Sequence, residues 1–294
     1  MRDIIPTGED SGVDAEGILI ADRSQRGKLR FSGEQRSWFL HQILTQAFED
    51  MQPGQARDSA MITAHGRMSG YLEAIASQDA IYCHFEPELG ESLPDLIRSY
   101  VFATRVEIDD VTDEFGLVLL AGENWREVAA ANVAMPRVHE TRSLGVPAGY
   151  VWLDRMDVAR VLTELGKLGA RTATEDELET IRISNGVPRW GREMDTKSLP
   201  QEAGVDAWSV HYDKGCYLGQ EAMAKIHFRG RVNRRLARVE AGSDLRPGLE
   251  LTIEGAKAGV VTSAIGTHGL ALVRHDVEAG TLMEVGDTDV KVVG

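Results

Sequence analysis

What this chain lacks narrows its function first. Only Cys83 and Cys216 carry thiols in 294 residues, with no paired spacing, so the pattern is not that of a disulfide framework. A structural zinc site needs several Cys or His ligands at short intervals. The eight histidines are scattered and no His-x-x-x-His pair occurs, so no metal held by this chain alone is expected. No apolar run approaches the roughly 18 residues of a membrane span. Met1 to Asp14 lacks the basic-then-apolar pattern of a signal peptide. A cytoplasmic protein with no membrane partner is the expectation. Neither Gly-x-Gly-x-x-Gly nor a Walker A sequence is present, which leaves a dinucleotide or nucleoside-triphosphate site without support.

What is present is an ordinary globular composition, 43% hydrophobic and 27% charged, in a chain long enough for two or three domains. The net charge of −14 argues against wrapping nucleic acid with the whole surface. Its distribution says more. Between Lys214 and Arg238 stand Lys214, Lys225, Arg229, Arg231, Arg234, Arg235 and Arg238 against the single acid Glu221, a local charge of about +6. Two readings stand. The strip faces an anionic ligand, or its arginines cover a domain junction with their stems buried.

Periodicity and punctuation give a coarse map. Strands are expected at 17–20 and 28–31. A capping box at Ser32-Gly33-Glu34-Gln35 then opens a helix bearing Trp38, Phe39, Ile43 and Leu44. Strands at 59–63 and 69–76 flank a turn at His65-Gly66-Arg67, and another runs over 81–85. A helix follows from Ser92 through Phe102, then strands at 105–111 and 116–121 and a helix over 124–133. The loop-rich stretch 136–149 reads as a seam between two subdomains. A strand at 150–153, a helix over 157–168 and a second capping box at Thr174-Glu175-Asp176-Glu177 complete this region. Beyond Arg235 only short β-prone runs remain, at 236–240, 249–253, 259–263, 269–274 and 289–293, the pattern of a small barrel. The expected fold is therefore α+β over 1–235, followed by a C-terminal β-barrel over 236–294.

The most informative segment is Lys214-Gly215-Cys216-Tyr217-Leu218-Gly219-Gln220-Glu221. A thiol beside a lysine in a positive segment is expected to have a lowered pKa, because cations favour the thiolate. Gly215 and Gly219 permit close backbone approach or positive φ. Gln220 starts a helix whose N-terminus would add to the stabilisation of the thiolate. The bland alternative is a cysteine buried as a small hydrophobe, although Lys, Tyr, Gln and Glu make a poor apolar wall. Nucleophilic catalysis would need a base. His211 and His227 are near in sequence only, so no cysteine hydrolase is inferred.

This octapeptide closely resembles the signature of the YgfZ-type folate-binding proteins, relatives of the glycine cleavage T protein (aminomethyltransferase) that include a mitochondrial iron–sulfur assembly factor. Further stretches agree with the resemblance. These are Ile181-Arg182-Ile183 with Gly186-Val187-Pro188-Arg189-Trp190-Gly191, Leu199-Pro200-Gln201-Glu202-Ala203-Gly204, Gly259-Val260-Val261-Thr262-Ser263, and Phe31-Ser32-Gly33 with Phe39-Leu40 and Leu44-Thr45. The resemblance implies a folate-binding region of intertwined α+β subdomains around a central channel, capped by the barrel. It also implies tetrahydrofolate as ligand, and iron–sulfur proteins or their assembly factors as partners. On this reading Cys216 and Lys214 are the reactive pair. Arg182, Lys214, Gly215, Tyr217, Gly219, Gln220, Glu221 and Arg229 line the folate. Arg182 has two readings, a guanidinium forked onto a carboxylate or the pterin edge, and a buried ion pair holding its helix.

The pattern also breaks. Aminomethyltransferases carry a catalytic Asp pair where this sequence has Gly70 and Tyr71, neither of which can act as a carboxylate acid or base. The Gly-Tyr-Thr-Gly-Glu motif is reduced to Gly149-Tyr150-Val151-Trp152, and Ser184 stands where relatives place Glu. The resemblance therefore points to a folate-dependent accessory protein of iron–sulfur cluster assembly or repair. Cys216 would serve it as a transient cluster ligand or as a redox-sensitive thiol. One alternative is active one-carbon transfer. Another is an RNA-binding or tRNA-modification role, with the Arg strip on phosphates and Tyr217 and Phe228 stacking on bases. It ranks lower because the chain is so acidic.

Overall fold

Residues 14–133, 137–286 and 288–294 are described by a computed structural model. Pro136 of the expected seam lies outside them, as does the N-terminal stretch before Asp14. Two units form, each from separate parts of the chain. The first takes the chain up to Ser37, Asp50–Ala56 and Glu73–Leu178, and the second takes Trp38–Glu49, Arg57–Leu72 and Glu179–Gly294.

In the first unit one sheet runs in the order Arg171–Thr172, Leu19–Asp22, Phe115–Ala121, Ala148–Asp154, Val138–Glu140. All pairings are antiparallel except the first. Helices Trp125–Asn132 and Val158–Lys167 pack on it. The second of these buries Val158, Val161 and Leu165, the i, i+3, i+7 stripe of an amphipathic helix. Each such side chain contributes about 1.5–3 kcal/mol by leaving water. Gly149 is required by this packing, since a Cβ there would lie 2.0 Å from the Trp125 ring. The stretch expected as a seam thus carries the short strand Val138–Glu140, paired to the start of Ala148–Asp154. The same unit pairs Gly27–Ser32 with Ala80–Phe85 and Glu107–Asp110.

The two expected capping boxes fare differently. Thr174 Oγ1 accepts from the Glu177 amide at 3.2 Å, and Glu177 Oε2 accepts from the Thr174 amide at 2.8 Å, as expected. The box at Ser32 does not form. Ser32 is the last residue of a paired strand, its hydroxyl faces Glu107, and the helix begins only at Arg36. The helix begun at Ser92 stops at Ser99, short of Phe102.

In the second unit the C-terminal residues close a six-stranded barrel in the order Arg234–Ala241, His268–Arg274, Ala256–Ile265, Glu250–Ile253, Leu282–Val285, Thr288–Val292. Val239 pairs with Val292 to shut it. Val239, Leu251, Val261, Val273, Met283 and Val290 fill its interior. This is the α+β class with a terminal β-barrel that the sequence suggested, with one more strand than expected. Ahead of the barrel lie the short helices Pro200–Ala203 and Asp206–Ser209 and the longer Gln220–Arg229. Among the described residues no helix is long and apolar enough to cross a membrane.

Candidate functional site

The octapeptide is a loop feeding the helix Gln220–Arg229, and two residues anchor it. Lys214 is buried. Its Nζ donates to the carbonyls of His41 at 2.6 Å, Gln46 at 2.8 Å and Leu44, and it lies 4.6 Å from the Tyr217 ring centroid. An ammonium has three protons to give, and all three go to the turn that ends the helix Arg36–Ile43. Lys214 is therefore a C-terminal cap supplied from 170 residues away in sequence. Burial pushes its amine down to about 7, with Glu49 opposing. Gly219 is the second anchor. Its φ is +80°, and a Cβ would meet the Thr63 carbonyl oxygen at 2.4 Å and Ile62 Cδ1 at 2.8 Å. Gly215 shares neither property. Its φ is not in the left-handed region and the space beside it is open.

Between the anchors Cys216 is exposed, whereas Cys83 is buried and its thiol is pushed up to about 12 by desolvation. Gln220 Nε2 donates to the Lys214 carbonyl at 3.0 Å and closes the loop on itself. Glu221 is exposed, in the first turn of the helix. Arg229 ends that helix, and its side chain lies outside the described residues. His227 stacks on Tyr212 with ring centroids 3.7 Å apart.

The positions of the missing Asp pair lie on the strand Met68–Ala76. The Tyr71 hydroxyl donates to Asp58 Oδ2 at 3.0 Å and accepts from Trp208 Nε1 at 2.9 Å, and Gln46 Nε2 holds the Trp208 carbonyl. A phenol thus fills the place of a carboxylate. The nearest acid, Asp58, comes from the strand Ala56–Ile62. Sequence reading did not nominate Asp58, because nothing local marks it.

Among the described residues, three buried polar atoms bordering the loop and its helix find no partner: Tyr217 Oη, Gln201 Oε1 and Thr63 Oγ1. Tyr217 belongs to the octapeptide, and Gln201 touches Met223 of the following helix through its Nε2. Thr63 carries the carbonyl against which Gly219 packs. Buried groups of this kind are rarely left unsatisfied without a reason. Gln201 was visible as part of the Pro-Gln-Glu stretch. Thr63 becomes a candidate only once the close approach of Gly219 is known.

Arg182 has no donor to spare. Its Nε and Nη2 bind Glu179 at 2.9 and 2.7 Å, Nη1 binds Glu193 at 2.9 Å and the Val187 carbonyl at 2.6 Å, and Nη2 also reaches Ser263 Oγ at 2.8 Å. All five N–H groups are engaged, and Ser263 in turn donates to Glu193. Of the two readings of Arg182, this geometry is the buried ion pair, here tying the helix Glu175–Ser184 to the barrel. Three members of the basic strip act similarly. Arg234 binds Glu202, Arg235 binds the Val277 carbonyl and Arg238 binds the Ser184 carbonyl.

The first unit holds a separate polar cluster, in which ligand atoms of Glu73, His84 and His139 lie within 4.8 Å of one another. By spacing alone they could hold an ion, but the hydrogen bonds argue otherwise. Arg26 Nε donates to His84 Nδ1 at 2.9 Å, which puts the His84 proton on Nε2. That proton goes to His139 Nε2 at 3.0 Å. The lone pair a metal would need on His84 is absent, and Arg26 cannot accept the proton that ligation would move to Nδ1. Burial, reinforced by Arg26, drives His139 down to about 3 and His84 well below the usual histidine range.

Residues 233–293 match the family described as CAF17, C-terminal beta-barrel domain. Over longer stretches the chain is similar to a chloroplastic protein of Arabidopsis thaliana named as a transferase, at 28% identity over 88% of this chain and 65% of that protein. It thus spans just under two thirds of that relative's length. It is similar to an iron–sulfur cluster assembly factor IBA57 homolog, mitochondrial, of Phaeosphaeria nodorum, at 25% identity over 94% of this chain and 75% of the relative. It is also similar to the tRNA-modifying protein YgfZ of Colwellia psychrerythraea, at 23% identity over 74% and 70%. The crystal structure of glycine cleavage system aminomethyltransferase T from Bartonella henselae superposes with a TM-score of 0.84 at 16% identity, covering 95% of this chain and 86% of that one. By its motifs and these relatives the chain is similar to proteins of the glycine cleavage T-protein superfamily, including YgfZ; it shares the fold of an aminomethyltransferase T, and residues 233–293 match the CAF17 C-terminal barrel.

Proposed function

We propose that this chain is a tetrahydrofolate-binding accessory protein of iron–sulfur cluster assembly or repair, acting through Cys216, and that it does not transfer aminomethyl groups. One observation carries the reading. The Cys216 thiol is presented to solvent on a loop anchored at both ends, while the positions of acid–base chemistry hold Gly70 and a Tyr71 already bonded on both sides of its oxygen. The relative named as an iron–sulfur cluster assembly factor supports the direction of the proposal. The proposal places the protein in the cytoplasm.

The fit to a folate rests on Tyr217 Oη, Gln201 Oε1 and Thr63 Oγ1, two hydroxyls and an amide oxygen that want partners. A pterin offers donors and acceptors on one edge, and these side chains would hold it, while tetrahydrofolate when bound supplies the one-carbon carrier nitrogens. Lys214 is then a positioning residue for the loop. Cys216 offers one thiolate to a cluster whose remaining ligands come from the partner that carries it. Calorimetric titration of tetrahydrofolate into wild type and Gln201→Ala tests the ligand. The proposal expects binding by wild type, weakened about tenfold in the variant. Absence of heat with wild type would leave a fold that has lost its ligand.

A second reading has one observation in its favour. Phe228 is 66% exposed on a helix that also bears Lys225, a stacking platform beside charge, and one relative is named a tRNA-modifying protein. Steeply salt-dependent affinity for tRNA would favour it.

A further inference from the structure

A cleft of about 510 Å³ in the second unit is lined by Arg67, Thr196, Lys197, Glu202, Asn233 and Arg234. Glu202 is buried, and its carboxylate accepts from Arg234 Nη2 at 2.9 Å, Arg67 Nη1 at 3.4 Å and the Leu199 amide at 3.2 Å. It spaces two guanidiniums that would otherwise repel, and it fixes both at the cleft wall. Neither is exhausted. Arg67 Nε and Nη2, Arg234 Nη1, Lys197 Nζ and the Asn233 amide have no partner among the described residues, and Lys197 and Asn233 are exposed. Among the lining residues three cations thus face the one carboxylate of Glu202, with Asp195 adding a second negative charge near Arg234. The neighbouring acid, Asp195, is bound by the Ser198 hydroxyl at 2.7 Å and the Lys197 amide at 2.8 Å.

Surplus planar donors on a preorganised wall are the chemistry of oxyanion recognition. We infer that this cleft binds an oxyanion, either a phosphate group or the carboxylates of a glutamyl chain. The site also has a route to the thiol loop. Gly66, next to Arg67, packs against Ala222 and Met223 of the helix that follows Cys216, and a Cβ at Gly66 would lie 3.5–3.6 Å from them. The phosphate arm goes beyond the folate and cluster reading, and the glutamyl arm rests on it, as the tail of a bound folate.

The test is calorimetric titration of the full chain at low ionic strength, where screening is weak, with inorganic phosphate and separately with tri-γ-glutamate. Wild type is expected to bind at least one of them. The tighter of the two identifies the source, phosphate pointing to a phosphate ester and the peptide to a carboxylate tail. Lys197→Gln should weaken that binding about tenfold with an unchanged melting temperature, since the side chain is exposed and unbonded. Arg67→Lys keeps a charge beside Glu202, loses the planar fork, and should weaken binding to a similar extent. No heat with either probe, or equal affinity in wild type and Lys197→Gln, would overturn the assignment.

Discussion

Two polar interiors distinguish the two units, and they are built on opposite terms. In the first, Arg26 binds His84, Glu86 and Glu73, His84 donates to His139, and the cluster is buried throughout. Its donors run in one direction and end at His139 Nδ1, the one nitrogen of the pair without a partner. In the second, the octapeptide buries a lysine on backbone carbonyls, yet leaves Tyr217, Gln201 and Thr63 with unmatched oxygens and exposes a thiol. Buried throughout, the first network holds the fold in one arrangement, whereas the second sets its unmatched oxygens beside an exposed thiol that can meet something that comes and goes. Strongly shifted pKa values occur in both regions, so the shifts alone do not mark the functional one.

The contrast can be attacked from either side. The largest effect is expected from Arg26→Ala, which removes a guanidinium paired to the buried carboxylates of Glu73 and Glu86. Denaturant unfolding should show a loss of about 3–5 kcal/mol. Gly219→Ala comes next, because its φ of +80° and the Thr63 carbonyl 2.4 Å away both exclude a Cβ. A loss of about 2 kcal/mol or more is expected, and a neutral result would mean that the loop is not anchored there. Lys214→Met should cost about 1–3 kcal/mol near neutral pH, from carbonyls left without a donor.

Lys214 also carries a pH signature. Its amine is near 7 when folded against 10.5 in the unfolded chain, so between those values the unfolded state holds the extra proton and stability rises with pH. That rise should vanish in Lys214→Met, and an unchanged slope would mean that the Lys214 amine keeps its proton on folding. The smallest effect on stability is expected from Tyr217→Phe. Its hydroxyl has no partner among the described residues, so the melting temperature should stay within about 2 °C of wild type while tetrahydrofolate binding weakens.

Much of the architecture could be read without coordinates, because it rests on local signals. The Thr174 box, the helix of Val158, Val161 and Leu165, and five of the six barrel strands follow from spacing and turns. The sixth strand, Leu282–Val285, is four residues long with exposed Leu282 and Glu284, too short and mixed to signal itself. Ser32 misled because the same residue that suits a helix cap also ends a strand, and sheet pairing won. Long-range partners were invisible. Neither the use of Lys214 on the 41–46 turn nor the saturation of Arg182 by Glu179, Glu193 and Ser263 leaves a trace in the octapeptide or in Ile181-Arg182-Ile183. The grouping of Glu73 with His84 and His139 likewise exists only in three dimensions.

The central claim concerns one thiol, and the chain supplies its own control. Cys216 is exposed and Cys83 is buried. Cluster-enzyme activity should be measured in a deletion strain carrying wild type, Cys216→Ala or Cys83→Ala, with protein levels matched. The account predicts that Cys83→Ala restores activity as wild type does and that Cys216→Ala does not. Full restoration by Cys216→Ala would contradict it.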